Sequence, residues 1–254
     1  MTLLFPGMDS PEILEFRAGK TVVPEQGMVP SMMEGMIHVW SAPYSDLGPV
    51  NLFLSALVSP EEMQRAQQFK KQTDTRQYIL RHGMVRAVLG HYLRKDPKEI
   101  RFFREICGKP HLDPQDTLPD IRFSLSHTDE MICLGITKKS AIGMDLVKIV
   151  PGYPFSPIER YLFTPGERRW IAQAVPGLRP LRFFRIWALK EALLKATGSS
   201  ARIMQEGNVA GIMTDTYLNG WYPVFIGKRE LLFFIHESGC GTGHHRVIAA
   251  HRQR

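Results

Sequence analysis

The sequence predicts an α+β protein assembled from two related halves. Three observations carry this prediction. Short strand-like runs occur early and late in the chain, at Met36–Trp40, Ile121–Ser126, Met131–Thr137 and Ala141–Val147, then at Gly220–Ile226, Glu230–Glu237 and His244–His251. Two longer helical stretches separate them, one from about Thr75 to Arg94 and one around Trp187–Gly198. A helix-start signal, Ser59-Pro60-x-Glu62, recurs as Thr164-Pro165-x-Glu167, 105 residues later. Capping motifs also recur by chance, so the repeat alone leaves a single large domain open.

Each element has a local reason. Residues 1–35 are rich in Pro, Gly and Met and show little periodicity, which predicts an extension with weak structure of its own, draped over the first half. Met36–Trp40 alternates apolar and polar residues, as a half-buried strand does. Ser59 is a good N-cap, Pro60 suits the first helical position, and Glu62 completes a capping box. Tyr78, Val85, Leu89 and Tyr92 give the next helix its apolar stripe. In WALKEALLKATG the strong helix formers Ala, Leu, Lys and Glu run up to Gly198, a stop signal. The expected boundaries are an extension over 1–35, a first half over 36–142 and a second over 143–254.

Bulk composition bounds the function. The chain has 254 residues, 44% hydrophobic and 22% charged, enough to bury a core without staples. Three widely spaced cysteines form no CxxC pattern, which argues against a zinc site or disulfide framework and for reduced cytoplasmic thiols. No apolar run reaches membrane-spanning length, and the N-terminus lacks a secretory pattern. The charge of +7 suits an anionic partner, but no zinc-finger spacing, RGG tract or RNP-type motif supports nucleic acid.

Certain residues carry chemistry. Trp187, Glu191 and Lys195 recur every four residues and share one helix face, putting a carboxylate and an ammonium one turn apart. A solvated Glu–Lys pair is the plainer reading of that spacing. Asp145 interrupts an apolar strand, where a carboxylate is costly unless it is paired or binds a cation; an edge position open to solvent is the alternative. Gly143 beside it admits a close backbone approach. Asp145 and Glu191 together make a carboxylate pair of the kind magnesium takes. Ser126 and His127 end a strand, where a hydroxyl and an imidazole can meet a phosphate. Lys109 sits in a Gly-Lys-Pro turn that is not a Walker motif.

In order along the chain, GKP, FSLSH, GMD, FTPGE and WALKEALLK resemble the 4'-phosphopantetheinyl transferases of the Sfp type. That family shows GKP, F-N-x-S-H, G-x-D-x-E, F-x-x-x-E and W-x-x-K-E-A-x-x-K. HVW and SPEEMQR are also family-like, so the resemblance runs from about Ile37 to the final strand. It implies a pseudo-dimer of two α+β halves, each a small antiparallel sheet packed on a long helix, with the active site between them. It further implies transfer of the phosphopantetheine arm of coenzyme A to a serine of an acidic acyl or peptidyl carrier protein, with magnesium as cofactor and 3',5'-ADP as the other product.

By the same resemblance Asp145 and Glu191 hold the magnesium, Glu191 serves as base, and Lys195, Ser126 and His127 contact phosphates. Lys109 lies over the nucleotide, and Arg65 and Arg104 grip the 3'-phosphate. Glu167 is read as a capping residue. Arg160, Arg168, Arg169 and Arg182 are candidates to steer the carrier. A cytoplasmic monomer is expected. Two departures stand out: Ser124 replaces the family Asn, and Val147 replaces the last acid of G-x-D-x-E. A coenzyme A or nucleotide-binding module with a decayed metal site is the competing reading.

Overall fold

The computed structural model describes residues 9–19, 29–48, 51–104, 108–116, 120–198, 202–240 and 243–251, without the side chains of 104, 116, 202 and 203. The first part of the chain forms β1 (Glu12–Arg17), β2 (Met36–Pro43), α1 (Leu52–Leu57), α2 (Pro60–Ala66), α3 (Gln72–Leu93), β3 (Phe102–Arg104), β4 (Pro110–Leu112), β5 (Ile121–His127) and β6 (Met131–Lys138). The rest forms β7 (Ala141–Lys148), α4 (Ser156–Leu162), α5 (Pro165–Ala172), α6 (Arg179–Thr197), α7 (Arg202–Glu206), β8 (Gly207–Asn208), β9 (Asn219–Ile226), β10 (Arg229–Gly239) and β11 (His244–His251).

Two sheets organise these elements. The first has the order β1-β2-β6-β5 and the second β7-β11-β10-β9-β8. The second is antiparallel throughout. In the first, β1 pairs with β2 in parallel, Glu12 against Met36 through Arg17 against Ser41. The extension therefore departs from the sequence reading: part of it is an edge strand, and the first sheet is mixed. EILEFR has the alternation of a strand, but the Pro- and Gly-rich residues around it obscure the signal.

The apolar side chains fall into three layers. Trp40, Leu80, Met84, Val88, Phe123 and Leu134 join α3 to the first sheet. Phe183, Leu189, Leu193, Phe233 and Val247 join α6 to the second. Between the sheets lie Ile37, Val39, Cys133, Ile142, Met144, Phe234 and Ile248. The order is helix, sheet, sheet, helix, and burial of apolar surface at each of the three contacts drives it.

Both predicted capping boxes form. Ser59 Oγ accepts from Glu62 N at 3.2 Å while Glu62 Oε2 accepts from Ser59 N at 2.9 Å. Thr164 and Glu167 repeat this at 3.3 and 2.7 Å. Each capping glutamate also receives a buried cation from the long helix of its half. Arg86 Nε donates to Glu62 at 2.7 Å, and Lys190 Nζ to Glu167 at 2.8 Å. Neither cation was singled out in the sequence, although Lys190 stands inside the WALKEA run; helical spacing shows a face, not what lies opposite it.

Candidate active site

The site lies where β5 of the first sheet meets β7 of the second. β7 is the end strand of its sheet, and an open edge needs its backbone groups satisfied. Side chains do this. Met144 N donates to Ser124 Oγ at 2.9 Å and Leu146 N to Ser126 Oγ at 3.1 Å. Lys109 Nζ donates to Ile142 O at 2.7 Å and Lys195 Nζ to Met144 O at 3.0 Å. Ser124, where the family pattern has Asn, supplies an acceptor to this edge.

Asp145 projects from the other face of β7, toward α6. Gly143, two residues before it, lets that helix come close: a Cβ there would stand 1.8 Å from Ala192 O and 2.5 Å from Ala196 N. This backbone approach carries Glu191 and Lys195 over the strand. Lys195 Nζ reaches Asp145 Oδ1 at 2.6 Å, and Ser126 Oγ donates to the same oxygen at 2.9 Å. Lys195 Nζ also lies 3.4 Å from Ser126 Oγ. Asp145 is buried and these donors offset its desolvation. One half supplies Ser126; the other supplies Asp145, Glu191 and Lys195.

Electrostatics act on Glu191. Burial raises the pKa of Glu191, the nearby Asp145 charge raises it further, and Lys195 opposes both. Glu191 is thereby more basic than an ordinary glutamate. His127 ends β5 with an exposed side chain, yet protein atoms crowd its ring at longer range. That dehydration, with the charges of Arg81, Lys195 and His82, lowers its pKa to about 4, so it is neutral near pH 7.

The remaining sequence candidates are spread around this centre. Lys109 joins it, but its ammonium is bonded to two carbonyls, Ile142 O and Lys195 O, each at 2.7 Å. The Gly-Lys-Pro turn thereby ties β7 to the last turn of α6. Arg65 is exposed on α2 and lines a cleft of about 710 Å³ with His82, Arg86, Arg101, Phe102 and Leu125. Arg104 belongs to β3, and its side chain lies outside the described residues. Val147 faces the same way as Asp145 but packs into the apolar layer under α6. Among the described residues no group of three or more His, Cys, Asp or Glu is arranged as a metal site. Trp187 is partly buried, packing against the same layer as Phe183.

Of the four arginines expected to face a partner, Arg160 and Arg169 are exposed. Arg168 Nη1 bonds Arg160 O at 3.2 Å. Arg182 is engaged elsewhere, over the Trp170 ring at 4.6 Å and on Asp215 at 2.7 Å, so it leaves the group.

Comparison with known proteins bears on both halves. A family model described as "4'-phosphopantetheinyl transferase, N-terminal" matches residues 44–139, and one described as "4'-phosphopantetheinyl transferase superfamily" matches 141–229. The chain belongs to the 4'-phosphopantetheinyl transferase superfamily and is an enzyme of that class. Its relatives put it with the Sfp-type members. It is 28% identical over 180 residues to the 4'-phosphopantetheinyl transferase HetI of Nostoc sp., covering 71% of this chain and 76% of HetI. It is 25% identical over 171 residues to the 4'-phosphopantetheinyl transferase Sfp of Bacillus subtilis, covering 64% of this chain and 74% of Sfp. With the human L-aminoadipate-semialdehyde dehydrogenase-phosphopantetheinyl transferase it shares 30% identity over 149 residues, 56% of this chain but only 48% of the human protein.

Proposed function

We propose that the protein moves the 4'-phosphopantetheine arm of coenzyme A to a serine hydroxyl of an apo acyl or peptidyl carrier protein and releases 3',5'-ADP. The observation that carries this reading is the meeting of Ser126, Asp145, Glu191 and Lys195 where the two sheets join. The capping glutamates with their buried cations, Glu62 with Arg86 and Glu167 with Lys190, support a pseudo-dimer of two like halves.

The donor set fits magnesium: Asp145 and Glu191 offer two carboxylates, and phosphate oxygens and water would complete the shell. Asp145 and Glu191 would hold it. When bound, magnesium neutralises charge on the pyrophosphate oxygens. The side chains do the rest. Lys195 and Ser126 donate to phosphate oxygens, and neutral His127 adds an N–H donor at the strand end. Glu191, whose pKa is raised by burial and by the nearby Asp145, accepts the proton of the carrier serine. The serine oxygen bonds to the phosphorus that bears pantetheine, the bond from that phosphorus to the ADP oxygen breaks, and 3',5'-ADP leaves with the electron pair. Arg65, with Arg104, suits the 3'-phosphate end.

Arg160 on α4 and Arg169 on α5 are exposed, as is Tyr161 next to Arg160 at 79%, and these side chains would offer an acidic carrier basic and apolar contacts. On this reading the enzyme acts as a cytoplasmic monomer, since one chain supplies both sides of the site. Among the described residues no helix is long and apolar enough to cross a membrane.

The test is to mix the protein with coenzyme A, magnesium and a panel of apo carrier proteins, then seek the phosphopantetheine adduct on the carrier serine by mass spectrometry. Adduct formation that depends on magnesium is the expected result. Coenzyme A binding without an adduct on any carrier would instead favour the binding module that Val147 invites.

A further inference from the structure

We propose that Lys109 is a positioning residue of the transfer reaction: its ammonium clamps α6 onto β7 and so fixes Lys195 against Asp145. Its part in the reaction rests on the function proposed above. The Gly-Lys-Pro resemblance implies a lysine over the nucleotide. Lys109 Nζ instead donates to Ile142 O and to Lys195 O, each at 2.7 Å. Its neighbour Pro110 lines the cleft of about 710 Å³ with Arg65, and Lys109 does not.

The two carbonyls mark the point where helix and strand touch. Ile142 C=O shares a peptide group with Gly143 N, and Lys195 C=O shares one with Ala196 N. A Cβ at Gly143 would stand 2.5 Å from Ala196 N and 1.8 Å from Ala192 O, so Lys109 bonds both sides of the closest approach. Regular structure leaves both acceptors over. β7 is the end strand of its sheet, and Lys195 O lies in the last turn of α6, where intrahelical donors run out. A cation is also favoured at that end of a helix. One ammonium serves both carbonyls. Lys195 Nζ takes Met144 O, two residues further along β7, at 3.0 Å.

The clamp acts on the site through the backbone. Holding Lys195 O fixes the turn from which the Lys195 side chain reaches Asp145 Oδ1 at 2.6 Å, and holding Ile142 O fixes the strand that carries Asp145. Lys109 itself stands between β3 and β4, outside both of these elements. The β3–β4 turn thus sets the distance between groups that it does not touch. A misplacement of about 1 Å between such groups can cost on the order of 100-fold in rate.

The full-length protein, Lys109→Met and Lys109→Arg are compared by steady-state transfer at saturating magnesium and by amide hydrogen exchange. In Lys109→Met, kcat is expected to fall roughly 10- to 100-fold while KM for coenzyme A stays within about twofold. Exchange in β7 and the last turns of α6 is expected to quicken roughly tenfold, the scale of a lost hydrogen bond, with α3 and β10 unchanged. Lys109→Arg keeps N–H donors and is expected to recover part of both. A raised KM for coenzyme A with kcat retained would make Lys109 a nucleotide contact and overturn the proposal. A lower melting temperature with kcat unchanged would reduce it to a stabilising residue, and unaltered exchange in β7 and α6 would remove the clamp. If the wild-type protein modifies no carrier, the transferase reading fails by itself, and the exchange comparison still decides the clamp.

Discussion

Lys195 and Asp145 form an ion pair at 2.6 Å between α6 and β7, and Ser126 from the first half donates to the same carboxylate oxygen at 2.9 Å. The pair ties the last turns of α6 to the middle of β7. It also leaves Glu191 as the carboxylate whose proton affinity is raised.

Lys195→Met is expected to lower turnover roughly 100-fold, the scale for loss of a positioned cationic donor. It should also move the acid limb of the pH–rate profile upward. Lys195 lowers the Glu191 pKa, so its loss raises that pKa, and the base is then protonated over a wider acidic range. An acid limb that stays in place while turnover falls would remove Glu191 from the role of base.

Gly143→Ala puts a methyl group 1.8 Å from Ala192 O, a clash with helix backbone that no side-chain rotation relieves. The expected cost is about 3 kcal/mol or more, at or above the upper range for overpacking. The residual folded protein should bind coenzyme A more weakly, because α6 must lift away from β7. Thermal unfolding and calorimetric titration check this, and an unchanged melting temperature would contradict the close approach.

Val147→Glu puts a carboxylate on the same face as Asp145, in a position now packed among apolar side chains. A loss of about 2 kcal/mol of stability is expected from burying the charge. The magnesium concentration for half-maximal turnover should fall, because a third ligand is added. A folded variant with unaltered magnesium dependence would show that position 147 does not reach the metal.

Glu62 ties stability to pH. Burial raises its pKa, but His82, Arg86 and the Ser59 amide outweigh burial and bring it from 4.5 to about 2. Its stabilisation is fully present above the pKa of the unfolded carboxyl and is lost as pH falls toward 2. The contribution is on the order of 3 kcal/mol from the size of the shift. Denaturant unfolding of Glu62→Gln should show a large deficit at pH 7 and almost none at pH 2; an equal deficit at both would rule out the linkage.

Much of this was legible in the sequence because it is local. Ser59, Pro60 and Glu62 specify a helix start without outside help, as do Thr164, Pro165 and Glu167, and both boxes form. The four-residue spacing of Glu191 and Lys195 fixed their shared face, and Gly143 signalled a close approach. What could not be read depends on distant partners. Lys190 and Arg86 look like surface cations until the glutamates opposite them are known. Arg182 resembles a free basic residue until Trp170 and Asp215 meet it. β1 has a weak pattern of its own, and its place is set by its parallel pairing with β2.

The turn between β6 and β7 is the thread between the two sides of the candidate site. Ser126 precedes it; Asp145, Glu191 and Lys195 follow it. On the proposed function, a chain opened at Lys139–Ser140 would yield two fragments, each holding part of the site and neither able to act alone. Activity would then report their reassembly, which makes this fold suited to fragment complementation.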